Sequence, residues 1–282
     1  MKINKMKLFY TVLFFLPMAH LSLKAQKLPE IQTANVVAPK AIRIDGKIQE
    51  WDDVFAADNK RTNLLYTVAN DDKNLYLVVK AINNDAITKI MAGGISFTIN
   101  TKGKKKETDG FTVTYPLLVR NNANRPGGQG QNRQRLGQNR TEQTQEQRDS
   151  ITLEQRKTQL AGIKEIKVLG FPTISDSLIS IYNEYGIKTV AKIDEQGAYV
   201  YEMAIPFSML ALSLEEKKEI TYQIKLNGRS NAVNFTLRTN AAGRGFGAGN
   251  NRGSFGGGNA NTARQDLMVA TDFWGKYVIQ KQ

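Results

Sequence analysis

Apolar residues recur along this chain in short runs, many of them alternating with polar ones. Ile95, Phe97 and Ile99 alternate with Ser96, Thr98 and Asn100, the two-residue period of a strand with one wet face. Phe111–Leu118 is the expected return strand. Leu64–Ala69 and Asn74–Ile82 read as a hairpin. The second is rich in β-branched and aromatic residues, and Asn70-Asp71-Asp72-Lys73 supplies turn chemistry between them. Further strands are expected at Leu178–Tyr185, Lys188–Ile193, Ala198–Ile205 and Phe273–Gln280. Glu219–Asn227 and Ala232–Arg238 read as a hairpin around Gly228-Arg229-Ser230. Asn35–Pro39 and Ala41–Asp45 read as short extended segments, and Pro206 opens a helical turn to Leu212. Thr152–Ile163 reads as a helix, with Thr152 and Gln155 matching a capping box. Short strands with frequent turns and no βαβ alternation define the expected fold. It is an all-β, antiparallel two-sheet sandwich of jelly-roll or immunoglobulin-like kind, with one short helix.

Two stretches break the pattern. Residues 121–148 contain NRPGGQGQNRQRLGQNR, and residues 239–264 contain GRGFGAGNNRGSFGGGN. Neither holds enough apolar side chain to offset the entropy of ordering it, so both are expected to be mobile insertions in a single domain spanning 26–282. The N-terminus reads as an export signal over 1–25. Lys2, Lys5 and Lys7 precede an apolar run from Leu8 to Leu21, and Ala25 is a plausible cleavage point. That run is short of the ~20 residues a spanning helix needs. The expected location is the periplasm or the cell surface.

Charge and composition narrow the chemistry. The chain carries a formal +13; cleavage after Ala25 would remove four lysines and no acid, leaving +9. No Asp or Glu occurs in 110–141 or in 240–265, whereas both stretches hold several arginines. There is no cysteine, and the one histidine, His20, lies inside the signal. The mature chain therefore lacks Ser-His-Asp and Cys-His nucleophile systems and every His- or thiolate-bound metal site. Oxygen ligation remains, which suits a structural calcium, but Asp71-Asp72 and Asp52-Asp53 lack EF-hand spacing and read first as solvated turn acids.

Four phrases give the chain a resemblance. They are IDGKIQEWDDV at Ile44–Val54, VANDDKNLYLVVKA at Val68–Ala81, GAYVYEMAIPFSML at Gly197–Leu210 and FWGKYVI at Phe273–Ile279. In this order they resemble the family-nine carbohydrate-binding modules. The opening is carried by Ile44, Asp45, Gly46 and Trp51, and the turn-strand by Asp71, Asn74, Leu75 and Tyr76. Gly197, Glu202, Ile205, Pro206 and Leu210 carry the late phrase, and Trp274-Gly275 the last strand. The resemblance implies an exported β-sandwich that binds a polysaccharide or glycan without catalysis. Family members clamp a sugar between two aromatic rings, because a pyranose's C–H face stacks on an aromatic surface while amides and arginines read its hydroxyls. Only two tryptophans are present, both in phrases that serve packing, so no clamp can be assigned. Phe246 and Phe255 are mobile substitutes or incidental.

The candidate ligand-binding residues are Asn227, Arg229, Asn231 and Trp274. The first three also read as an ordinary polar turn. Glu202, between Tyr201 and Met203, reads as a structural hydrogen-bonding acid, and without a second acid placed opposite it no catalytic residue is assigned. The alternative function is a cell-envelope interaction protein that keeps the sandwich and binds a partner or an anionic surface through its basic loops. Arg-Gly-Phe resembles RNA-binding segments, but export argues against nucleic acid.

Overall fold

A computed structural model describes residues 27–52, 54–118, 144–212, 218–229 and 266–281. The chain is mostly β, in two six-stranded sheets that face each other as a sandwich. The first sheet contains β1 (Val36–Val37), β2 (Ala57–Asn59), β3 (Leu64–Asn70), β4 (Asn74–Ala81), β9 (Lys188–Ile193) and β10 (Tyr199–Pro206). Its order is β1-β3-β4-β10-β9, with β2 also on β3. The second contains β5 (Ile95–Asn100), β6 (Phe111–Tyr115), β7 (Glu165–Leu169), β8 (Leu178–Ser180), β11 (Glu219–Leu226) and β12 (Thr271–Val278), in the order β12-β11-β5-β6-β7-β8. Every pairing is antiparallel except β1 on β3, where Val36 meets Ala69 in parallel.

The two-residue period sends alternate side chains between the sheets. Leu64, Tyr66, Val68, Leu75, Leu77 and Val79 meet Phe97, Ile99, Val113, Ile220, Tyr222 and Ile224 in one continuous core. Each fully buried aliphatic or aromatic side chain there contributes about 1.5–3 kcal/mol. Two tyrosines are joined across the core, Tyr66 Oη to Tyr222 Oη at 3.0 Å, and Gln32 N–H donates to Tyr66 Oη at 2.9 Å. Gly275 makes the Tyr222 position possible: a Cβ there would strike the Tyr222 ring and hydroxyl. The Trp-Gly pair of the last phrase thus divides its work, with Gly275 turned inward beneath a ring and Trp274 turned outward.

Several elements differ from the sequence reading. Helix α1 (Asn84–Gly93) fills a span that the pattern left without a helix. Asn83 caps it, its Oδ1 accepting from Asp85 N–H and Ala86 N–H, and Gly94 ends it at φ 76°. Helix α2 runs Gln145–Ala161 rather than 152–163. The capping box is formed by Thr144 and Gln147, a second T-x-x-Q pattern upstream, and Thr152 sits inside the helix with its hydroxyl on Arg148 O. Residues 145–148 therefore belong to a helix and not to an insertion. β7 lies where no strand was expected. The expected Glu219–Asn227 hairpin is also corrected: β11 has β12 along one edge and β5 along the other, and Ala232–Arg238 lies outside the described residues. The signal, residues 121–143 of the first insertion, and the second insertion lie outside the described residues.

Candidate functional site

The outward face of the first sheet is closed by the chain itself. Between β1 and β2 the segment 38–56 crosses it, laying Ala38, Ile48, Trp51 and Phe55 on Ala69, Tyr76, Val78, Val200 and Ala204. At the centre stands Glu202, fully buried on β10. Its Oε2 accepts from Gly46 N–H at 2.7 Å and Asp45 N–H at 3.1 Å, and its Oε1 from Trp51 Nε1–H at 3.2 Å. Gly46 is required at φ 78°, where a side chain would also crowd Lys192. Trp51 stands edge-on to Tyr76, ring centroids 6.0 Å apart, and Tyr76 Oη donates to Asp71 Oδ2 at 2.7 Å. Burial pushes the Glu202 carboxyl up to about 7, and the three N–H donors pull against that rise. The opening and late phrases of the sequence meet here, and the resulting site is a fastening rather than a cleft. Both carboxylate oxygens are occupied by the protein's own donors.

The outward face of the second sheet is built from different chemistry. Across β12, β11, β5, β6 and β7 the register sets Trp274, Gln223, Thr98, Thr112 and Leu169 in one row. The next row is Asp272, Lys225, Ser96, Thr114 and Lys167. Cross-strand hydroxyls are joined, Thr98 Oγ1 to Thr112 Oγ1 at 2.8 Å and Ser96 Oγ to Thr114 Oγ1 at 2.7 Å. Glu107, from the loop between β5 and β6, reaches over this face. Its Oε1 accepts from Gln223 Nε2–H at 2.8 Å and from Lys225 Nζ–H at 2.7 Å. Burial raises the Glu107 carboxyl, but the Lys225 and Gln223 hydrogen bonds outweigh it and hold the group below its ordinary range. Gln223 also donates to Asp272 Oδ2 at 2.8 Å, so both its N–H bonds are engaged by acids while its buried Oε1 has no partner.

Gln223 and Thr98 are themselves buried. Contact with anything outside falls to the half-buried Trp274, Asp272, Lys225, Thr112 and Lys167, and to Leu169, which is 48% exposed. At the ~4.8 Å strand spacing the row from Trp274 to Leu169 spans roughly 19 Å. It has an apolar group at each end and polar groups between. Trp274 is the aromatic ring at the outward positions of these strands among the described residues.

Of the four candidate residues, the structure places two on this face. Trp274 is half-buried on the edge strand β12. Asn227 is buried just past β11, its Nδ2–H donating to Ser96 Oγ at 2.7 Å and its backbone N–H to Gly94 O at 3.0 Å. Four residues of strand, roughly 13 Å, separate Asn227 from Gln223, the register partner of Trp274. Arg229 is exposed beyond Asn227. Asn231, Phe246 and Phe255 lie outside the described residues. The sequence reading missed Gln223, Lys225, Glu107 and the threonine pairs. Their signal was present in the polar half of the Ile95–Asn100 and Glu219–Leu226 alternation.

Among the described residues no group of three or more acids is placed to hold a metal ion. Asp71 is occupied by its own turn, Oδ1 accepting from Lys73 N–H and Asn74 N–H. Among the same residues no helix is long and apolar enough to cross a membrane. No protein-family model matches the chain, and no curated protein matches it in sequence.

Proposed function

We propose that this protein is a non-catalytic glycan-binding module, exported to the periplasm or cell surface, whose binding face is the outer side of the second sheet. The observation that carries this reading is the row from Trp274 to Leu169. An indole offers a stacking surface for the C–H face of a sugar, and Lys225, Asp272 and Thr112 offer donors and acceptors for its hydroxyls. Asn227 is held by Ser96 and acts as support for the face, and Arg229 extends it at the far end. The separation of Trp274 from Asn227 suits an extended chain of sugars better than one ring. The four phrases resembling family-nine carbohydrate-binding modules, and the two facing sheets, support the same assignment. The fastening of Glu202 by three N–H donors favours a structural carboxyl over a catalytic one.

The test is a titration of the full chain against neutral soluble polysaccharides at physiological salt, wild type beside Trp274→Ala. Binding that survives salt, competes with free sugar and is lost in Trp274→Ala, with the melting temperature kept, supports the reading. Equal binding by both proteins removes Trp274 from the site.

A further inference from the structure

The hairpin tip between β5 and β6 carries Lys102, Lys104, Lys105 and Lys106, all exposed. Their chain is fixed from below by two fully buried side chains. Asn100 Oδ1 accepts from Lys102 N–H at 2.9 Å and Lys104 N–H at 3.3 Å, while its Nδ2–H donates to Lys106 O at 3.1 Å. Thr221, reaching across from β11, donates its hydroxyl to Lys104 O at 2.7 Å. Gly103 takes φ 68° to complete the turn. The loop is thus tied to the same outward face that holds Gln223 and Lys225, and its ammonium groups start from a preset backbone.

Three of the acids at this corner already have a cation, and Asp272 is held by Gln223. Glu107 is taken by Lys225, Asp109 by Lys106 at 3.7 Å, and Glu219 by Lys276 at 2.8 Å. Among the described residues, Lys102, Lys104, Lys105 and the neighbouring exposed Lys218 have none. Three such charges on the tethered loop, with Lys218 beside β11 as a fourth, make a local positive field much steeper than the chain's net charge implies. We propose that this lysine tip is an anion subsite continuous with the outer face of the second sheet, and that the chain binds an acidic polysaccharide bearing carboxylates. The inference rests on the glycan reading above and specifies the class of glycan.

The composition of the tip separates this partner from two other anionic polymers. Residues 101–110 contain no apolar or aromatic side chain. A membrane surface is gripped by charge together with inserted apolar groups, and single-stranded nucleic acid by charge together with rings on which bases stack. Lysines alone, as flexible point charges, suit carboxylates spaced along a hydrated chain. The sugar rings between those carboxylates would run onto Trp274 and the hydroxyl rows.

The test titrates the full chain with polygalacturonate, with neutral dextran and xylan, and with vesicles containing anionic phospholipid. Three proteins are compared: wild type, the triple substitution Lys102→Gln, Lys104→Gln, Lys105→Gln, and Trp274→Ala. Melting temperatures check that each is folded. The expected result is wild-type binding to polygalacturonate that the triple variant weakens by roughly tenfold or more at low salt, with the difference shrinking as salt screens it. Trp274→Ala should weaken the same binding at all salt concentrations. Equal binding of polygalacturonate by wild type and triple variant overturns the lysine subsite and leaves the glycan reading standing. So does binding of neutral polysaccharide alone. Loss in the triple variant with no effect of Trp274→Ala keeps the subsite and overturns the glycan face. Binding to vesicles but to no polysaccharide overturns both.

Discussion

The two sheets dispose of their outer faces in opposite ways. On the first, β4 and β10 turn out Tyr76, Val78, Val200 and Ala204, and the chain's own residues 38–56 cover them. On the second, β5, β6 and β11 turn out Ser96, Thr98, Thr112, Thr114, Gln223 and Lys225, the hydroxyls bonded in cross-strand pairs and Gln223 and Lys225 both donating to Glu107. An apolar outer face must be covered, and the cover takes up the tryptophan, the Asp-Gly turn and the buried acid. A polar outer face needs no apolar cover; Ser96, Thr98, Thr114 and Gln223 are themselves buried, and the chemistry able to meet a ligand stays at Trp274, Asp272, Lys225, Thr112 and Lys167. Three of the four phrases singled out in the sequence fall on the covered side. They therefore speak to the scaffold, and the open side has to be read from its own register.

Removing the fastening should have the largest effect. Trp51→Ala takes away a buried indole, the edge contact with Tyr76 and a donor to Glu202. It should cost about 3–5 kcal/mol of stability, the usual range for truncating a large buried aromatic. Denaturant melts measure this, and a near-neutral result would mean that segment 38–56 contributes little to the fold. Gly275→Ala probes the inner side of the open sheet. The added methyl meets the Tyr222 ring, backed by Tyr66 and Phe97. Overpacking of this kind costs about 1–3 kcal/mol, and a smaller loss would show that Tyr222 can swing aside.

Much of the scaffold was legible in the sequence, because its signals are local. The alternation at Ile95–Asn100, the Asn70–Lys73 turn and the helical turn opened by Pro206 each act within a few residues. What was not legible depended on distance or on competition. Two T-x-x-Q patterns could cap α2, and only Thr144 does so. Glu219–Leu226 alternates correctly, but the pattern does not say that its neighbours are β5 and β12. α1 carries its own cap, Asn83, and its own stop, Gly94, yet a ten-residue helix between two strong strands makes little periodic signal. On the candidate site, Trp274 was visible as one of two tryptophans, in the last phrase. Gln223 and Glu107 were not, since 116 residues separate them and only the sheet brings them together.

The buried acid gives a comparison that pH can sharpen. Glu202 moves from an ordinary 4.5 up to about 7 in the folded chain. Below pH 4.5 the group is protonated in both states and has no linkage. Between 4.5 and 7 the folded state holds the extra proton, so its contribution to stability is lost as pH rises through that window. Asp71 and Glu107, both held low, act with the opposite slope. The useful quantity is therefore the difference between wild type and Glu202→Gln. Wild type should lose stability relative to Glu202→Gln as pH rises from 4.5 to 7. Parallel melts across this range would mean that the three N–H donors outweigh burial and keep the carboxylate charged.

The smallest effect is expected at Arg229, which stands exposed at the far end of the open face. Its neighbour Asn227 is buried and tied to Ser96 and Gly94, so the backbone is fixed before the arginine begins. Arg229→Ala should leave stability within about 0.5 kcal/mol of wild type, as for other surface changes. Binding is a separate matter. A guanidinium donating to a sugar hydroxyl or carboxylate makes a charge-assisted bond, and its removal would weaken affinity without moving the melt. Asn227→Ala is the paired control: it leaves Ser96 without its donor and should lower the melt. If Arg229→Ala alone reduces glycan affinity, the site runs the length of β11 from Trp274 to the strand's exit. If it changes neither melt nor affinity, the binding surface ends nearer Trp274, and Arg229 is a solvated turn residue.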